Sequence, residues 1–194
     1  MEKYEFTGEE KIEFGITFKR IRAKIDIERF GVSVGDNGGW IVSEQNLEDD
    51  CDAWISGEAR ISGQAQISGD AWIFGQARIS GQAHISGQAQ ISGEARIFEQ
   101  AQIFGDAWIF GQARIFGEAR ISGDDDLLIV GTIGSRRAYT TFARTETGLH
   151  VFCGCFKGTL EDFADKVKMH HSGNDHEKNY LGAIAFAKVK FNVE

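Results

Sequence analysis

Residues 53–70 read AWISGEARISGQAQISGD, three copies of one six-residue unit, Ala-x-Ile-x-Gly-x, and that unit recurs twelve times as far as residue 124. Isoleucine takes every sixth position from Ile55 to Ile121, with alanine two residues before each. Side chains alternate across a strand, so Ala and Ile point to one side, while the glycine two residues on frees the backbone for a corner. Ala and Ile therefore fill an interior, and three short strands close a triangular coil of 18 residues. The run supplies about four coils, each rising ~4.8 Å at the usual strand spacing. The glycine column breaks only at Glu99, where a distorted corner is expected.

Every eighteenth residue repeats a face of the triangle. The positions before each Ile give Trp54, Trp72, Gln90 and Trp108 on one face, Arg60, Arg78, Arg96 and Arg114 on the second, and Gln66, His84, Gln102 and Arg120 on the third. An apolar stripe of tryptophans suits a contact surface, so Trp54, Trp72 and Trp108 are assigned to subunit packing. Stacked arginines repel unless anions lie alongside. The post-glycine residues Glu58, Asp70, Glu94, Asp106, Glu118 and Asp124 can neutralise them, or the ladder can take an acidic partner or a phosphorylated ligand. Phe98, Phe104, Phe110 and Phe116 add aromatic packing surface to the later coils.

The units ISGEAR, ISGQAQ and IFGDAW resemble the hexapeptide repeat of left-handed β-helix proteins. The resemblance implies a mainly β chain, a left-handed parallel β-helix and a homotrimer. Many members are acyltransferases that hold an acyl donor between neighbouring helices, commonly with a histidine base, for which His84 stands here. Its face neighbours are Gln66 and Gln102, and the loop that often folds over the donor is absent. FKRIRAKIDIERFGVSVGDNGGWIVSEQNL, joined to the repeats, is similar to prophage-encoded hexapeptide-repeat proteins. That resemblance spans most of residues 1–124 and implies a phage setting rather than a reaction, since a scaffold does not specify an activity.

Stacked coils leave open apolar ends and unpaired edges, which need caps. KIEFGITFKRIRAKIDI alternates as two or three strands bending into the first coil at Gly38-Gly39-Trp40-Ile41, so residues 1–38 are an N-terminal β capping segment and 39–124 the β-helix. After Asp124-Asp125-Asp126, residues 125–194 form a C-terminal α+β module: LLIVGTI, RAYTTFAR and LHVFCGCF read as strands. Thr159 with Asp162 opens a helix through DFADKVKMHH, and a second helix runs from Asp175 to about Ala187. Some 70 residues exceed what a mere cap requires, which makes this module the expected bearer of specificity.

A net charge of −8 argues against general nucleic-acid binding. No run reaches the ~18 apolar residues of a membrane span, and the opening MEKYEFTGEEKIEF lacks the order of a signal peptide. A cytoplasmic protein is expected, in the bacterial host if phage-encoded, and the three cysteines, Cys51, Cys153 and Cys155, fit a reducing compartment. Cys153 and Cys155, expected on one side of a strand, lie near His150, His170, His171 and His176 in a spacing that matches no zinc motif. Buried structural thiols are the simpler reading, and neither a metal nor a cofactor is expected.

Gly134-Ser135-Arg136-Arg137, followed by Thr140, Thr141 and Arg144, offers amides, hydroxyls and guanidinium forks, the groups that grip a phosphate. A polar turn with surface arginines is the plainer alternative. The expectation is a non-enzymatic, trimeric, phage-type protein. Its C-terminal module or subunit seams bind a small anionic or nucleotide-like ligand or a host protein, as in sequestering a host defence signal. A structural trimer of a phage particle and an acyltransferase are the competing classes.

Overall fold

The computed structural model describes residues 2–135 and 137–193. Among these, a hairpin of β1 (Tyr4–Glu13) and β2 (Ile16–Ala23) leads into β3 (Asn37–Ile41). Twelve two-residue strands, β4 to β15, then recur every six residues from Trp54–Ile55 to Arg120–Ile121. The chain ends in β16 (Leu127–Ile133), β17 (Ala138–Thr145), β18 (Gly148–Cys153), β19 (Phe156–Thr159) and two helices, α1 (Leu160–His171) and α2 (Asp175–Phe191).

The repeats stack in parallel with a register of one coil: Trp54 lies opposite Trp72, Arg60 opposite Arg78, and Gln66 opposite His84. The resulting solenoid has about five turns rather than four. β3 pairs in parallel with β5, setting Trp40 against Arg60, and Leu47 bridges Ile67. Residues 37–53 thus make a coil whose inward Ile41 and Leu47 are kept while the Ala-x-Ile-x-Gly signature is lost. Every repeat Ile and Ala is at most 1 % exposed. Each buried isoleucine contributes roughly 1.5–3 kcal/mol, so the column outweighs any surface term.

Corners are set by the backbone. The repeat glycines from Gly57 to Gly117 hold positive φ, and a Cβ on Gly87 would lie 2.6 Å from the amide nitrogen of Gly105, one coil away. Glu99 takes φ 64°, the same conformation as its glycine neighbours, so the distortion expected there does not occur. The ladder holds it, with the Gln82 amide donating to its carbonyl at 2.7 Å, and its carboxylate pairs with Lys157.

Both ends are closed by groups that complete broken ladders. At the first coil, three alanine carbonyls lack a repeat beneath them. Ala59 accepts from the Trp40 amide at 2.9 Å, Ala65 from the Asn46 side chain at 2.8 Å, and Ala53 from the buried Lys3 ammonium at 2.9 Å. At the last coil the need is reversed, and the Trp108, Arg114 and Ser122 amides donate to Asp124, Thr141 and Asp126 side chains at 3.1, 3.2 and 2.9 Å.

The C-terminal antiparallel sheet, in order β16-β17-β18-β19, lies across that upper end. Leu127, Ala143 and Phe152 join the solenoid core, while Phe142, Leu149 and Val151 pack with both helices in a second core. The module is therefore itself the cap. Its extra chain serves to bury the sheet's outer face. No helix among the described residues is long and apolar enough to cross a membrane.

Candidate functional site

The residues singled out for phosphate binding do not converge. Thr140 and Thr141 are fully buried, on opposite faces of β17. The Thr140 hydroxyl donates to the Cys153 sulfur at 3.3 Å, and the Thr141 hydroxyl receives the Arg114 amide. Arg144 pairs with Asp126 at 3.3 Å and donates to the Phe191 carbonyl at 3.0 Å, tying β17 to the end of α2. Arg137 is exposed in the turn, and Arg136 lies outside the described residues. Alternation along β17 explains the failure: a strand that caps the solenoid on one side and carries helices on the other has no free face for hydroxyls.

Ser135 alone of that set lines a cleft, of about 560 Å³, between the β16–β17 and β18–β19 turns and α1 and α2. Its cations are Lys157 and Lys166, beside the imidazoles of His170 and His171; Phe156, Phe163 and Tyr180 supply aromatic walls; Cys153 and Cys155 contribute thiols. No carboxylate is among the described lining residues. Lys157 is shared with Glu99, whereas Lys166 has no ion-pair partner among the described residues. α1 is what aims these groups. Its N-cap Thr159 accepts from the Asp162 amide at 3.2 Å, and residues 163 and 167 face inward while 166 and 170 fall on the cleft side.

The inner end of the cleft is tightly specified. Cys153 donates to the Tyr180 hydroxyl at 3.8 Å, and the His171 ring lies 5.6 Å from that of Tyr180. A Cβ on Gly134 would sit 1.9 Å from the Tyr180 hydroxyl, so only glycine lets the turn rest on this ring. Cys155, expected to share a strand face with Cys153, instead lies in the turn after β18, where Gly154 takes φ 61°. No three His, Cys, Asp or Glu side chains among the described residues converge as a metal site. The lysines and aromatics of α1 and β19 escaped the sequence reading because a helical Lys-x-x-x-His is indistinguishable from a solvated face until the sheet beneath it is known.

The tryptophan stripe is also revised. Trp54 is 1 % exposed, covered by the Gly38-Gly39 strand of its own chain, and so does not form an exposed contact surface. Trp72 lies between Phe30, at 5.2 Å, and Phe74, at 4.3 Å. Only Trp108, 52 % exposed, remains open, beside Phe110. Of the arginine ladder, Arg60 pairs with Glu13 at 3.0 Å and Arg114 donates to the Gly154 carbonyl at 2.8 Å. Arg78 and Arg96 have no ion-pair partner among the described residues. Of the corner carboxylates, Glu58 reaches the ladder, 3.9 Å from Arg60, while Asp70 pairs with Arg29 at 2.8 Å and Glu94 accepts from Gln112 at 3.2 Å.

No protein-family model matches the sequence, and no curated protein matches it either.

Proposed function

We propose that this chain is a non-enzymatic, homotrimeric binding protein of phage type, built on a left-handed hexapeptide β-helix, whose C-terminal cleft takes a small anionic, nucleotide-like ligand. One observation carries the ligand class: in a chain of net charge −8, the cleft is lined by two lysines and two histidines with aromatic walls and no carboxylate among its described residues. Cations pair with phosphoryl oxygens, and ring faces accept a stacked base. The six-residue period with positive-φ corners supports the handedness, and the open Trp108–Phe110 pair, with Arg78 and Arg96 lacking an ion-pair partner among the described residues, supports association. Cytoplasmic sequestration of a host defence signal is the role that fits such a binder.

Titration calorimetry of the pure protein with mononucleotides, cyclic nucleotides and inorganic phosphate tests this. Binding should weaken about tenfold in Lys166→Ala, the loss of one charge-assisted contact worth ~1.4 kcal/mol. If no member of the panel binds or shifts the melting temperature, the reading is wrong. An assembly role in a particle is favoured by the Trp108–Phe110 patch instead, and detection of the chain in purified virions would select it.

A further inference from the structure

We infer that the arginine ladder is one side of a seam between copies of this chain, and that the other side is the aspartate column at the opposite corner of the triangle. The seam rests on the proposed homotrimer and names the residues that join its subunits. The ladder is answered at its ends and open in its middle. Arg60 meets Glu13 at 3.0 Å and Arg114 the Gly154 carbonyl at 2.8 Å. Arg78 and Arg96, partly buried and directly opposite each other in register, have no ion-pair partner among the described residues.

Like charges one strand spacing apart repel, and the carboxylates of the nearest corner do not answer these two. Glu58 pairs with Lys11 at 2.9 Å, and Glu94 accepts from Gln112 at 3.2 Å. At the corner opposite the arginine face, Asp52, Asp70, Asp106 and Asp124 recur at multiples of 18 residues, interrupted only by Gln88, and so climb one strand spacing per coil as the arginines do. Asp106 is exposed and has no ion pair among the described residues, and Asp70 meets Arg29 through one oxygen, Oδ2, at 2.8 Å.

Pitch and charge choose the occupant. Same-side residues of an extended peptide stand roughly 6.8 Å apart and fall out of step with guanidiniums spaced ~4.8 Å, whereas a second solenoid standing parallel keeps step over every coil. With both copies level, Arg78 stands eight residues of winding above Asp70 and Arg96 ten below Asp106, about half a coil or ~2.4 Å in each case, which a guanidinium on its stem spans. Corner and face are different patches, so the contact is heterologous and closes as a ring, which a trimer requires. Trp108, exposed and two residues after Asp106, borders the same edge, while Trp54 and Trp72 on that face are packed by Gly38-Gly39 and Phe30 of their own chain.

The test is sedimentation of the full chain across a concentration series, with charge reversals on each side of the seam. Arg96→Asp and Asp106→Arg should each weaken association by about tenfold or more, since each sets like charges face to face, and the exchange variant Arg96→Asp/Asp106→Arg should recover it to within about threefold. Neither side chain has a hydrogen-bond or ion-pair partner among the described residues, so unchanged dichroism is expected. Arg96→Lys is the gentler probe: a carbodiimide should then couple position 96 to Asp106 in a covalently joined pair of chains, read by mass spectrometry of the joined peptides. A wild-type chain that stays monomeric overturns the homotrimer and the seam together. A trimer whose mass ignores both reversals, is not restored by the exchange, or yields no such joined pair overturns the seam alone.

Discussion

The residue-scale logic is clearest at the corners, where one conformation is met by two residue types. Gly87 combines positive φ with a 2.6 Å clearance to the next coil, so Gly87→Ala should cost about 2 kcal/mol through overpacking, read as a lower urea midpoint with unchanged slope. Glu99→Gly should be near neutral. Relief of ~1–2 kcal/mol of backbone strain is offset by roughly 0.4–1 of chain entropy and by a surface ion pair to Lys157 worth less than about 1. Tyr4 gives a pH prediction. Its phenol keeps its proton to about 12 in the fold but only to its usual value of 10 when unfolded. The folded state then holds the extra proton, so stability falls as pH rises from 10 to 12. Tyr4→Phe should flatten that part of the melting-temperature profile.

At the scale of elements, what was legible tracks how local the cause is. The repeat strands follow from alternation and corner glycines, with no distant information. The α1 start was also legible, because a cap acts across three residues: Thr159→Ala should lower stability by about 1 kcal/mol, some 2–4 °C in melting temperature. α2 runs one turn beyond the expected Ala187, since Phe191 packs into the second core and Asn192 takes the left-handed cap. The β17 hydroxyls were misjudged for the opposite reason. Whether Thr140 and Thr141 meet a phosphate or the protein interior depends on a sheet docking onto a coil end, which no spacing encodes. The same docking makes the cleft, so its lysines and aromatic walls became legible only with the fold.

For the whole molecule, the open faces of the pillar predict its association. Trp108 and Phe110 are the part of the aromatic stripe left uncovered, and Trp108→Arg should convert the proposed trimer to monomer in analytical ultracentrifugation while leaving dichroism unchanged. The one-coil register carries an engineering consequence. Because each coil meets only its neighbours, the pillar behaves as an indexed screw. Inserting eighteen residues of repeat should move the ends apart by ~4.8 Å without turning them. Inserting six should swing the upper module about a third of a revolution, so distance and bearing between the ends can be dialled separately.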